Sequence, residues 1–159
     1  MSRYHRLAHF QFQPFVKVGD WVTPQTRIGV CGRTGVATGP HVHSDGTINK
    51  PYDWHQYRNR QLREYFDTEP WAKLVLPYPG RFLTNRHGRN GHIGVDINVG
   101  PEDLGLPVYS PVNGRVVYVE KPTSLYRLMS GIRVLFQPTW GGGFGNFVWI
   151  EEDMTKPSI

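Results

Sequence analysis

His41 and His43 are separated by a single residue, Val42. Side chains alternate along a strand, so a strand projects both imidazoles from one face, whereas a helix would turn them apart. Gly39-Pro40 just ahead is turn material that delivers such a strand abruptly into a cleft. Convergent imidazoles serve as metal ligands or as proton carriers. A second pair is His92-x-x-x-Asp96, whose even spacing keeps both groups on one side of a strand, and the branched Ile93, Val95 and Ile97 favour that strand over a helix. A His and a carboxylate facing an imidazole from another strand make a nitrogen, nitrogen, oxygen set. Catalytic zinc takes such a set while keeping one position open for water. Taken singly, each pair also describes something plainer: two histidines on a solvated strand, or a His hydrogen-bonded to an Asp. Their conjunction favours the metal.

The elements that must hold these groups are short strands and turns. The chain has 159 residues, enough for one domain with a real core. Its 18 glycines and 13 prolines, with 13% aromatic residues, indicate strands punctuated by turns and not a helical bundle. The single cysteine, Cys31, excludes an intramolecular disulfide and a cysteine-based zinc site, so a metal must use His, Asp or Glu. Cys31 follows the apolar Ile28-Gly29-Val30 and reads as a buried, inert thiol. A net charge of +5 suits an anionic partner. No apolar h-region marks a signal peptide at the N-terminus, and no stretch has the length of a membrane span.

Three regions differ in texture. Residues 1–46 read as strands and tight turns, among them Phe15 to Val22, which alternates and breaks at Gly19-Asp20, and Arg27 to Cys31. Residues 47–79 form a linker holding the one amphipathic helix, Asp53 to Phe66, then a proline-rich connection. Residues 80–153 return to strands, with Asn113-Gly114 expected as a hairpin turn, strands at 115–120, 132–136 and 147–150, and a loose tail at 154–159.

Gly32-x-Thr34-Gly35-x-x-Thr38-Gly39-Pro40-His41-x-His43 resembles the C-terminal signature of the LytM/lysostaphin-type zinc endopeptidases, the M23 peptidases that cut peptidoglycan cross-bridges. Upstream, Leu7-Ala8-His9-Phe10, Val16-Lys17-Val18-Gly19-Asp20-Trp21-Val22 and Arg27-Ile28-Gly29 are similar to the segment that leads into it. His92-Ile93-Gly94-Val95-Asp96 resembles the family's N-terminal H-x-G-x-D motif; Pro107-Val108, Asn113 to Val116 and Gly145 to Ile150 are similar to the stretches that follow it. The resemblance implies an all-β fold, an antiparallel two-sheet sandwich or open barrel. It also implies Zn²⁺ held by His43, His92 and Asp96, with His9 and His41 handling protons. Which of those two is the base stays open. His5 is the fallback for His9, and His55 and His87 have no motif support. Ser44-Asp45 departs from the family's apolar residue followed by an acid.

The two halves stand in reversed order, which implies a circular permutation with residues 47–79 joining the old ends, and Asn146 to Glu152 pairing beside Tyr4 to Phe10. Two alternatives are a segment spanning two domains and a pair of chains exchanging halves in place of a monomer. The expected activity is a metalloendopeptidase acting on peptidoglycan stems or cross-bridges at the cell wall, delivered by phage lysis, by a virion or by another export route. No nucleic acid or membrane insertion is expected. A catalytically degenerate, wall-binding module is the alternative function. A nucleic-acid-binding β-domain would need a basic, aromatic-lined groove, whereas the aromatics here are spread along the chain.

Overall fold

The structure is a computed structural model, which describes residues 2–35, 37, 39–48, 75, 82–85, 94–98, 103–120 and 144–156. Nine strands are found among them: β1 (Arg3–Phe10), β2 (Trp21–Val22), β3 (Arg27–Val30), β4 (Val42–Ile48), β5 (Phe82–Asn85), β6 (Val95–Asn98), β7 (Pro107–Tyr109), β8 (Gly114–Val119) and β9 (Asn146–Glu152). They form an antiparallel seven-stranded sheet in the order β2-β8-β9-β1-β4-β6-β5 and an antiparallel two-stranded sheet of β3 and β7. The described part is therefore all-β, as expected. The expected linker helix, the strand at 132–136, His55, His87 and His92 lie outside the described residues.

Alternation decides which way each strand faces. Leu7, Val42, Val95, Ile97, Val116, Val148 and Ile150 of the large sheet are buried in one core with Ile28 of β3 and Val108 of β7, so the small sheet covers that face. The intervening residues face the other way, where Ala8, Phe147 and Trp149 are buried with Tyr4, Val117 and Phe144 packed against them. Cys31 is buried in the main core.

Both halves of the chain supply strands to both sheets. The first strand and the last are neighbours, β1 and β9 pairing antiparallel with Tyr4 opposite Glu151. Glu152 secures that seam: its carboxylate accepts hydrogen bonds from Arg3 Nε at 2.8 Å and Nη2 at 3.1 Å and lies 2.8 Å from His5 Nε2.

Two local expectations are corrected. Asn113-Gly114 is not a hairpin turn, because β7 pairs with β3 in the small sheet while β8 pairs with β2 and β9 in the large one. Gly114 is needed for another reason: a Cβ there would collide with the Glu151 carbonyl of β9. Within Phe15 to Val22 only Trp21–Val22 is strand. The preceding bend is held by Asp20, whose backbone N–H donates to the Lys17 carbonyl while its carboxylate accepts from the Lys17 N–H.

Candidate functional site

The second face of the large sheet gathers the chemistry. On β4, Val42 enters the core, so His43 and Asp45 point to the opposite side; on β6, Val95 and Ile97 enter the core, so Asp96 does the same. The register sets His43 directly across from Asp96 and Arg6 of β1 across from Asp45. Gly94 permits this approach. Its φ of +79° suits glycine, and a Cβ would strike the Ser44 carbonyl and the Asp45 Cβ.

His43 Nδ1 lies 3.1 Å from Asp96 Oδ1, and His41 Nε2 lies 3.4 Å from the same oxygen. On its far side, His43 Nε2 is 3.3 Å from Asp45 Oδ2. Burial alone would lower the pKa of His43, but the hydrogen bonds and charges of Asp45 and Asp96 outweigh it and raise the value to about 9. The Asp45 carboxyl is driven the other way: burial would raise its pKa, yet the Arg6 guanidinium and His43 hold it far below the usual carboxylate range.

His9 reaches the site through an irregularity. Leu7 faces the core, and strict alternation would send His9 there too. Instead the pairing with β9 shifts register between Leu7 and Phe10, His9 takes a φ of +67°, and Phe10 returns to the core. Such a bulge re-aims a side chain, and a non-glycine residue at positive φ is a strained conformation typical of functional positions. Thr34 and Asn146 hold the bulge: Thr34 Oγ1 donates to the Phe10 carbonyl at 2.7 Å, and Asn146 Nδ2 donates to that carbonyl at 3.1 Å. The His9 ring thereby comes within 4.7 Å of His41 and 6.0 Å of His43, measured between centroids. Burial, then the neighbouring His41 and His43, lower the His9 pKa to about 3.

The tautomers follow from the partners. His9 Nδ1 is 2.6 Å from the Thr34 carbonyl and His41 Nδ1 is 2.9 Å from the Gly39 carbonyl. A carbonyl only accepts, so both Nδ1 atoms carry protons and Nε2 is the basic nitrogen of each neutral ring.

Among the described residues, no group of three His, Cys, Asp or Glu side chains forms a complete metal-holding cluster. Two of the three expected ligands, His43 and Asp96, do face each other, and the third, His92, is outside the described residues. Both nitrogens of His43 look onto carboxylate oxygens, an environment that favours positive charge there, carried by an imidazolium proton or by a bound metal ion. Ligands about 2.0 to 2.2 Å from one tetrahedral zinc lie roughly 3.3 to 3.6 Å from each other, a little farther than the 3.1 Å hydrogen bond between His43 Nδ1 and Asp96 Oδ1. A nitrogen and an oxygen donor thus stand where one ion could take both.

His9, His41, His43 and Asp96 thus converge from three segments. His5 does not join them; it is buried against Glu152 on the β1 and β9 seam. Arg6 and Phe144 were not singled out from the sequence. Arg6 pairs with Asp45, 39 residues away, and the Phe144 ring lies 5.5 Å from that of His43. A buried charge within a strand is the signal that marks Arg6, visible only once β1 is known to be covered on both faces. No family model, no curated protein and no solved structure matches this chain.

Proposed function

We propose that the protein is a zinc-dependent endopeptidase that hydrolyses peptide cross-links of bacterial peptidoglycan, a LytM/lysostaphin-type domain with its halves in circularly permuted order. The observation that carries this reading is the convergence of His9, His41, His43 and Asp96 on one face of the sheet, with the proton-carrying Nδ1 atoms of His9 and His41 both tied to backbone carbonyls. Four residues that belong to three separate motifs come together although their order along the chain is reversed.

His43 through Nδ1, Asp96, and His92 by its place in the motif would hold the ion. Zinc, when bound, supplies a Lewis acid that polarises a carbonyl and acidifies water. The protein supplies the rest. His41 and His9 would handle the proton taken from the attacking water and returned to the leaving amine, a contribution of order 10² to 10⁴ in rate. Burial keeps the His9 ring neutral. The net charge of +5 suits an anionic wall.

The side-by-side pairing of β1 and β9 supports the permutation, since an uninterrupted relative would join these strands by a hairpin. Solution mass with zinc counted per chain tests it: one mass unit with one zinc is expected, and a dimer with shared zinc sites indicates exchanged halves. The activity is tested by zymography on purified peptidoglycan. Clearing is expected to vanish on chelation and return with zinc. Clearing that survives full metal removal, or that never appears, overturns the enzyme reading, and the latter outcome with zinc bound indicates a binding module.

A further inference from the structure

We propose that Arg6 is a positioning residue for the metal ligand His43, acting through Asp45; this rests on the zinc reading of the site. Arg6 and Asp45 are opposite each other in the β1 and β4 register, and both are almost fully buried. Arg6 Nε donates to Asp45 Oδ1 at 2.8 Å, and Nη2 donates to Asp45 Oδ2. That fork claims both carboxylate oxygens and fixes the plane of the carboxylate. Asp45 Oδ2 then sits 3.3 Å from His43 Nε2, while Nδ1 hydrogen-bonds Asp96 Oδ1 at 3.1 Å, so a His43 that gave its Nδ1 to a metal would carry its ring proton on Nε2, the nitrogen nearest Asp45. A ligating histidine is oriented in this way by a carboxylate on its other nitrogen.

The guanidinium is itself confined. Its central carbon is 3.5 Å from the centre of the Phe144 ring and 5.0 Å from that of Trp149. A cation packed over an aromatic ring beside the site is not what stability alone requires, because buried ion pairs are often replaced by apolar residues of equal volume without loss. What the pair adds is direction. It gives Asp45 a fixed acceptor geometry and occupies both its oxygens, so that Asp45 orients His43 and does not compete with Asp96 for the ion. Lysine cannot do the same, since a point charge holds one oxygen where the fork holds two.

Zinc affinity, read by competition with a chromophoric chelator, and the visible spectrum of the cobalt-substituted protein test this without reference to turnover. Arg6→Met and Asp45→Asn are each expected to weaken zinc binding roughly 10- to 100-fold and to shift the cobalt bands, with Arg6→Lys between Arg6→Met and the unmutated protein. The double variant is expected to lose no more affinity than the worse single one, because both act through the same contact. A purely structural role would lower thermal stability while leaving affinity and spectrum in place. A folded Arg6→Met that binds zinc as tightly as the unmutated protein with the same cobalt spectrum overturns the proposal and leaves the zinc reading standing. If Arg6→Met does not fold, Arg6→Lys and Asp45→Asn decide by the same criteria. An unmutated protein that takes up neither metal overturns the zinc reading and, with it, this role.

Discussion

The imidazoles of His9 and His41 lie 4.7 Å apart, tilted by 54°, each with its Nδ1 committed to a backbone carbonyl, that of Thr34 for one and of Gly39 for the other. Two segments from different parts of the chain therefore bring imidazoles with the same Nδ1 anchoring side by side near Asp96. This relationship separates the roles of neighbouring histidines that the spacing alone leaves alike.

Replacing His43 by alanine removes the nitrogen that faces Asp96, so zinc retention and activity should both be lost. Replacing His41 by alanine removes a proton carrier and spares the His43 and Asp96 pair. Zinc should be retained, with activity lower by a factor of order 10² to 10⁴. Metal analysis of the purified variants beside a turbidity assay on peptidoglycan checks this; equal zinc loss from both variants would sink the division of roles.

His9 gives the metal-free protein a specific pH dependence. Its pKa falls from 6.5 to about 3 on folding, so between these values the unfolded chain binds a proton that the folded protein refuses. Stability is intact above about pH 6.5 and falls toward pH 3, by roughly 1.4 kcal/mol for each pH unit from this group alone. His9→Asn keeps a residue that tolerates positive φ and removes the titrating ring. Urea unfolding as a function of pH should show the unmutated protein losing its stability advantage over His9→Asn across that window. A constant difference would refute the account.

The seam between the first and last strands is closed by Glu152, which Arg3 and His5 share. Glu152→Leu would leave a fully buried imidazole and a partly buried guanidinium without their acceptor. The expected cost is roughly 1 to 3 kcal/mol, measured as a drop in the urea midpoint with the slope unchanged. Because the hydrogen bonds of Glu152 go to Arg3 and His5 and not to His9, His41, His43 or Asp96, zinc affinity of the folded variant should stay unchanged.

Gly94→Ala should do the opposite and strike the site. The added Cβ meets β4 at Ser44 and Asp45, and the φ of +79° disfavours it. A loss of about 1 to 3 kcal/mol is expected from the strain, with weakened zinc binding as β6 and Asp96 are displaced from His43. Unchanged zinc affinity in a folded variant would show that β6 reaches the site without this close contact.

Part of the site is legible in the sequence because it depends only on local geometry. The period of two fixes that His41 and His43 share a face, and it fixes that Val42, Val95 and Ile97 bury themselves and turn His43 and Asp96 outward. The turn at Gly19-Asp20 and the buried Cys31 follow from equally local rules. What alternation could not decide is His9, since counting from Leu7 sends it into the core, and only the register shift against β9, held by Thr34 and Asn146, turns it to the site. The pairing of Arg6 with Asp45 is likewise absent from any local pattern, because 39 residues separate them and the register of β1 with β4 brings them together. Likewise, Asn113-Gly114 looks like a hairpin turn, yet the flanking strands are taken by different sheets. The sequence by itself determined which residues face alike within each strand. Which strands meet, and hence which imidazole faces which carboxylate, was decided by burial of the shared core and by cross-strand register, both of which exist only once the whole sheet has formed.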